Sequence, residues 1–357
     1  MPIAARRILV VLPNWVGDVV LATPALRALR AGAGEARIDY LLRPYLRDVL
    51  DGSRLNDGEY HWSTAKGLSR LSEDATLARK LSTEKYDTAI LFTNSWRSAL
   101  LTRAARIPRR VGYAREARGW LLTDKLYHMR ENGRFVPSPI TPDYARLVEQ
   151  LGISVNDRKL RLDVTDAHEG AAAQLRAHYD MAPKRYAVIN PGGAFGAAKL
   201  WLPDRFAAVC DGLHADHGLK SVIVGAPREA DLLRDISSRA ASRPVPLIDP
   251  PTTLGSLKAI IRDAAIMICN DTGPRHYANA FDTPTVAVFG PTHQEWTDTG
   301  YAGEIKLQIP VDCGPCQKKT CPLDHRCMTG LTADMALQAA DTLLSGAAAR
   351  RLPVRSA

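Results

Sequence analysis

Short runs of apolar, often β-branched residues alternate along this chain with longer stretches in which apolar residues recur every three or four positions. The first pattern suits a strand buried on both faces, the second an amphipathic helix. In the front half the pattern predicts strands over residues 6–12, 37–42 and 87–92. It predicts helices over 18–31, where Val19, Ala22, Leu26 and Leu29 share one face, and over 72–81 and 96–105. Residues 107–142 are rich in Pro, Arg and Gly, and a helix follows over 143–151. The back half repeats the rhythm, with strands over 186–190, 221–224, 265–269 and 285–289. Its helices are expected over 203–214, after Pro227, over 257–262 and over 332–344. Strand and helix in alternation give an α/β protein built on parallel sheets covered on both faces.

With 357 residues the chain exceeds what one core accommodates and suits two. The expected division is a first domain over 1–165, a linker over 166–184, a second domain over 185–331, and a terminal helix and tail over 332–357. No apolar run approaches the roughly 18 residues that a spanning helix needs. The run at 8–12 is too short for the core of a signal peptide, so a cytoplasmic protein is expected. Lysine and arginine number 47 against 38 aspartate and glutamate, a formal net charge of +9. That excess favours anionic partners such as nucleotides, phosphates or acidic lipids. Nucleic acid would fit the charge too, but no RNA-binding motif accompanies it.

In open α/β sheets ligands bind at the carboxyl ends of the strands, which directs attention to four turns. The turn after the first strand, Pro13 to Asp18, ends on an acid at a helix start. Asp18 is either a general base aimed at a hydroxyl or an N-cap. The turn from Asn190 to Trp201 carries Gly192, Gly193 and Gly196 and then Lys199. It can cradle a phosphate with backbone N–H groups and a point charge, or it is a flexible turn with a solvated lysine. It matches neither a Walker A loop nor the dinucleotide fingerprint. In the turn Cys269 to His276, Thr272 and Gly273 can offer N–H groups to a pyrophosphate, and Asp271 can grip sugar hydroxyls. His276 could reach the same space; otherwise this is a capped helix with a satisfied histidine.

The fourth turn holds Cys313, Cys316, Cys321 and Cys327, with His325 among them. A Cys-type zinc site, a packed thiol knot or adventitious disulfides all fit, since only one pair has the tight spacing of common zinc sites. Crowding four of six cysteines there argues against a dispersed secretory disulfide framework. Two further features stand out. Glu229, after a strand, could bind a ribose hydroxyl or simply be an acid in a first helical turn. Arg109, Arg110, Arg115 and Arg118 around Tyr113 could hold an anionic acceptor bidentately or form a solvated basic face.

Taken in order, ILVVLPNWVGDVVLATPALRALR, NSWRSALLTRAARIPRRVGYAREARGWLLTD, NPGGAFGAAKLWLPDRFAAVCDGL and NDTGPRHYANAFDTPTVAVFGPTHQEWT resemble the heptosyltransferases, family nine of the glycosyltransferases. The tail CGPCQKKTCPLDHRCM is similar to that of the heptosyltransferase II branch. The resemblance implies a GT-B fold, two Rossmann-like domains facing each other across a cleft. It implies an inverting transfer of L-glycero-D-manno-heptose from ADP-heptose to the lipopolysaccharide inner core on lipid A. Such an enzyme would use no cofactor and no catalytic metal, and would at most touch the inner membrane peripherally. Asp18 would be the base and Lys199 a phosphate contact, with Gly192 and Gly193 beside it. Asp271 would hold the donor sugar, Thr272 and Gly273 the diphosphate, and Glu229 the ribose, with His276 in the same turn. Arg109, Arg110, Tyr113, Arg115 and Arg118 would face the acceptor. Another sugar-nucleotide transferase or an epimerase on the same fold is the alternative.

Overall fold

The computed structural model describes residues 5–346; the first four residues of the expected first domain and the tail beyond residue 346 lie outside them. The chain divides into two units, Met1–Arg161 and Leu162–Ala357.

The first unit is built on strands β1 (Arg7–Val11), β2 (Arg37–Leu42), β3 (Gly58–His61), β4 (Thr88–Leu91), β5 (Arg109–Tyr113) and β6 (Asp124–Leu126). All pair in parallel, in the order β3-β2-β1-β4-β5-β6. Its helices are α1 (Val16–Gly32), α2 (Arg47–Leu50), α3 (Gly67–Thr83), α4 (Trp96–Ala104) and α5 (Ile140–Glu149). A small hairpin joins β7 (Arg130–Glu131) to β8 (Arg134–Phe135). The apolar run Ile8 to Leu12 is wholly buried because the strand is central and covered on both faces. Pro24 lies inside α1, where its ring removes one backbone donor. The carbonyl of Val20 that loses this partner accepts the Thr23 hydroxyl instead, at 2.7 Å.

The second unit repeats the plan with β9 (Tyr186–Asn190), β10 (Lys220–Ile223), β11 (Val245–Pro246), β12 (Ile266–Asn270), β13 (Thr285–Val288) and β14 (Glu304–Leu307). Their order is β11-β10-β9-β12-β13-β14, again all parallel. The helices are α6 (Asp166–His178), α7 (Pro203–His217), α8 (Ala230–Arg239), α9 (Leu254–Arg262), α10 (Arg275–Ala280), α11 (Arg326–Thr329) and α12 (Ala333–Leu344). Pro203 opens α7 at a position where the missing N–H costs nothing. Thr332 caps α12 by accepting from the Met335 N–H. No helix of the described residues is long and apolar enough to cross a membrane.

Within the Pro-, Arg- and Gly-rich residues 107–142, β5 and β6 complete the first sheet. The division between the units falls after Arg161. Helix α6 packs on α9 as part of the second unit, with Arg176 bridging to Asp263 at 2.9 Å. In each sheet β1 and β9 respectively sit where the strand order reverses. The turns after β1 and β4, and after β9 and β12, therefore open at the two switch points where such sheets bind ligands.

Candidate active site

Two asparagines end the central strands of the second sheet and tie its turns together. The Asn270 amide donates to the Pro191 carbonyl at 2.6 Å, and its oxygen accepts the Trp201 N–H at 3.3 Å. Asn190 donates to the Val224 carbonyl at 3.1 Å and accepts the Thr272 hydroxyl at 3.0 Å. The turns after β9, β10 and β12 are thus knitted by side chains that the sequence reading passed over. An Asn at the end of an apolar run was the available signal, since a buried amide must find partners.

Within this frame the Lys199 ammonium donates to Asp271 Oδ2 at 2.5 Å and approaches the Asp271 carbonyl at 3.4 Å. Thr292 donates to the same carboxylate oxygen at 3.0 Å. The pair is largely buried, with side-chain exposures of 13% and 8%. Burial is the largest influence on Asp271 and alone would raise its pKa. The charges of Arg275 and Lys199, with the Lys199 and Thr292 hydrogen bonds, outweigh it and hold the carboxyl below its usual range. Phe195 lies under the ammonium, its ring centroid 4.9 Å from Nζ.

The glycine turn differs from an open phosphate cradle. Glu229 Oε1 accepts the Gly193 N–H at 3.3 Å, and Oε2 accepts the Ala226 N–H at 2.8 Å. A Cβ on Gly192 would lie 2.4 Å from Glu229 Oε2, so only glycine admits this carboxylate. Glu229 is therefore not merely an acid in a helical turn: it spans the turns after β9 and β10.

Behind the site lies a buried charge cluster that the sequence reading did not foresee. Arg275 is fully buried against Glu304 at 3.3 Å, donates to the Thr297 carbonyl at 2.9 Å and stacks over Phe289. Burial is the main cause that pushes the Glu304 carboxyl up, against the pull of Arg275 and Lys306. His276 belongs to this cluster and not to the open face: it is 2% exposed, and its Nε2 lies 3.3 Å from an Arg275 nitrogen. Burial first, then the Arg275 charge, hold its imidazole well below the ordinary value.

In the first unit, Trp15 and not Asp18 is the N-cap of α1, and no side chain caps it. Asp18 sits in the first helical turn, partly exposed, where the helix dipole favours a carboxylate. Its charge reaches Tyr144, whose phenol is held well above its usual range, first by burial and then by Asp18 and Asp143. Most of the basic cluster is engaged internally. Arg118 is 0% exposed and donates to the Tyr113 and Ser95 carbonyls and to Asn94. Arg109 pairs with Asp124 at 2.9 Å and donates to the Gln150 carbonyl. Arg110 holds the carbonyls of Leu121, Ile107 and Pro108. Tyr113 is buried, stacked on His128 with centroids 4.0 Å apart, and donates to the Asp143 carbonyl. Arg118 and Tyr113 are thus buried, while Arg109 and Arg110 remain partly exposed beside their internal partners. Arg115 lies over the Phe135 ring at 4.5 Å and makes no side-chain hydrogen bond among the described residues.

The six cysteines are free thiols. Burial, then the nearby thiols of Cys321, Cys313 and Cys316, push Cys327 upward. Among the described residues no group of three His, Cys, Asp or Glu side chains is arranged to hold a metal ion.

Two doubly wound parallel sheets, one of them ending in turns that hold a lysine–aspartate pair, fit the plan of the GT-B glycosyltransferases. Residues 75–327 match the model of glycosyltransferase family 9 (heptosyltransferase), and the chain belongs to that family. A lipooligosaccharide heptosyltransferase 2 from Campylobacter jejuni is 25% identical over 350 residues, covering 95% of this chain and 98% of the relative. A lipopolysaccharide heptosyltransferase 3 from Escherichia coli K12 is 27% identical over 300 residues, covering 79% and 82%. The structure of the E. coli ADP-heptose lipopolysaccharide heptosyltransferase II superposes with a TM-score of 0.77 at 23% identity, covering 96% of this chain and 99% of its own. The protein is a glycosyltransferase.

The environment of His276 sets a pH dependence. Its imidazole stays neutral in the fold, whereas the unfolded chain takes up a proton below about pH 6.5. The folded pKa is the lower one, so the contribution is intact above that pH and is lost as the pH falls. Unfolding free energy should fall more steeply with decreasing pH below about 6.5 in the native protein than in His276→Gln. Denaturant titrations at several pH values check this, and parallel curves would refute it.

Proposed function

We propose that the protein transfers L-glycero-D-manno-heptose from ADP-heptose to the lipopolysaccharide inner core, in the manner of heptosyltransferase II. The observation that carries the reading is the Lys199 ammonium, held by Asp271 at the switch point of the second sheet. An ammonium has three N–H donors. Those not turned to Asp271 are available to a phosphate oxygen, while Asp271 Oδ1, opposite the oxygen used by Lys199 and Thr292, accepts a sugar hydroxyl. Thr272 and Gly273 lie beside the diphosphate, and Glu229 meets the ribose from its seat on the glycine turn.

The reaction is a single displacement with inversion. The acceptor hydroxyl attacks the anomeric carbon and gives its proton to the Asp18 carboxylate. The bond from that carbon to the ADP oxygen breaks, and the electron pair leaves on the diphosphate. An oxocarbenium-like centre develops as in other glycosyl transfers, and Lys199 stabilises the charge gathering on ADP. Arg115 is the basic side chain proposed to meet an anionic group of the acceptor. Peripheral contact with the membrane surface would use exposed side chains such as Trp96, Leu100 and Trp120 of the first unit.

Asp18→Asn keeps the shape and removes the base. It should leave ADP affinity unchanged and cut turnover by about 10²–10⁴-fold; near-native turnover would remove Asp18 from the mechanism. The function itself is tested by incubating the purified protein with ADP-heptose and lipid A-core acceptors of increasing length. Mass spectrometry should show one added heptose on an acceptor that already carries the first core heptose. A changed sugar nucleotide without any acceptor would instead mark an epimerase.

A further inference from the structure

Ala198, immediately before Lys199, is 2% exposed and sits in a single 3-10 turn, Ala197–Lys199. The turn's own bonds, Lys199 N–H to the Gly196 carbonyl and Leu200 N–H to the Ala197 carbonyl, both at 3.1 Å, leave the two backbone groups of Ala198 without a partner inside it. Both backbone groups of Ala198 are nevertheless satisfied, and both by the Cys-rich segment. The Ala198 N–H donates to the Lys319 carbonyl at 3.0 Å. The Ala198 carbonyl faces His325 Nε2 at 2.8 Å. A carbonyl only accepts, so Nε2 carries the proton. The same segment reaches the other flank of the site, where the Gln317 N–H donates to the Pro291 carbonyl at 2.8 Å, next to Thr292. Lys199 and Thr292, the two side chains bonded to the Asp271 carboxylate, thus each adjoin a residue that this segment grips. The approach is close: a Cβ on Gly196 would lie 2.4 Å from the Lys319 carbonyl oxygen.

We infer that residues 317–325 form a clamp that positions the donor turn, and that His325 is a positioning residue acting on Lys199 through the Ala198 carbonyl. The inference rests on the proposed donor role of Lys199. Its physical content is that the Lys199 backbone is held inside its own turn by one bond, N–H to the Gly196 carbonyl at 3.1 Å, while both backbone groups of the preceding residue tie that turn to the Cys-rich segment. Releasing the Ala198 carbonyl lets the ammonium wander from Asp271 and from a bound phosphate. Donor binding and the stabilisation of departing ADP both weaken, whereas the proposed base in the first unit is untouched.

The geometry supplies two matched variants. His325 has φ 58°, a left-handed conformation that Asn tolerates well. His325→Asn keeps that backbone but its amide is too short to reach Ala198. His325→Gln places an amide nitrogen at about the position of Nε2 and restores the donor. ADP affinity by calorimetry and donor KM should both worsen about three- to tenfold in His325→Asn, the worth of one hydrogen bond. His325→Gln, which restores the donor, should bind ADP like the native protein. Unchanged ADP affinity in His325→Asn, or a Gln variant as weak as the Asn one, would overturn the clamp. If the Asn variant does not fold, the Gln variant alone decides, since loss of ADP affinity in it contradicts the inference. Lys199→Met separates the two claims. Unaltered ADP binding there would sink the donor site itself, whereas weakened binding there with an intact His325→Asn would sink only the clamp.

Discussion

The contact between Lys199 and Asp271 is the constraint around which the second unit is arranged. Taking two charges out of water is costly, and their mutual attraction offsets that cost only when further hydrogen bonds complete the geometry. Thr292 supplies one such bond to the carboxylate, and Arg275 adds a second positive charge from behind. Arg275 in turn is tolerated in the interior because Glu304 and the Thr297 carbonyl meet it. Lys306 bonds Asp298 at 2.5 Å and lies 3.8 Å from Glu304. The result is a network in which each charge has a partner, yet the ammonium keeps donor capacity toward the turn. In the proposed transfer, an anionic leaving group would meet a site that is already organised at the moment of reaction.

The two units share a strand order but load it differently. In the first, the turn after β1 delivers a single carboxylate, and Arg109, Arg110 and Arg118 are engaged in holding loops. In the second, the turns after β9, β12 and β13 converge on one ion pair, and the asparagines at the strand ends fix their relative positions. A Rossmann-like plan does not itself choose a reaction. The choice is made by which polar side chains end the central strands.

Much of this was legible in the sequence, and the failures have a common cause. Central strands such as RILVV and IMICN are continuous apolar runs, because both faces of a parallel sheet are covered. The turns following them are found by the same pattern, which is how Asp18, Lys199 and Asp271 come into view. The edge strands GEYH, DKL and EIKL are short and polar, and carry no periodic signal. Residues whose role depends on a distant partner were also invisible. The local context of Arg118 matches a solvated basic face, yet its guanidinium is enclosed by residues of the turn after β4. Arg275 owes its burial to a glutamate on β14. The Cys-rich segment suggested metal chemistry by composition, while its placement against Ala198 and Pro291 is a tertiary fact that no spacing encodes.

The account stands or falls on whether Lys199 and Asp271 act as one unit toward the donor. A double-mutant cycle measures this directly: ADP affinity by calorimetry for the native protein, Lys199→Met, Asp271→Asn and the double variant. Paired action predicts a coupling energy above about 1 kcal/mol, because each single change leaves a buried partner uncompensated. Effects that simply add would contradict it.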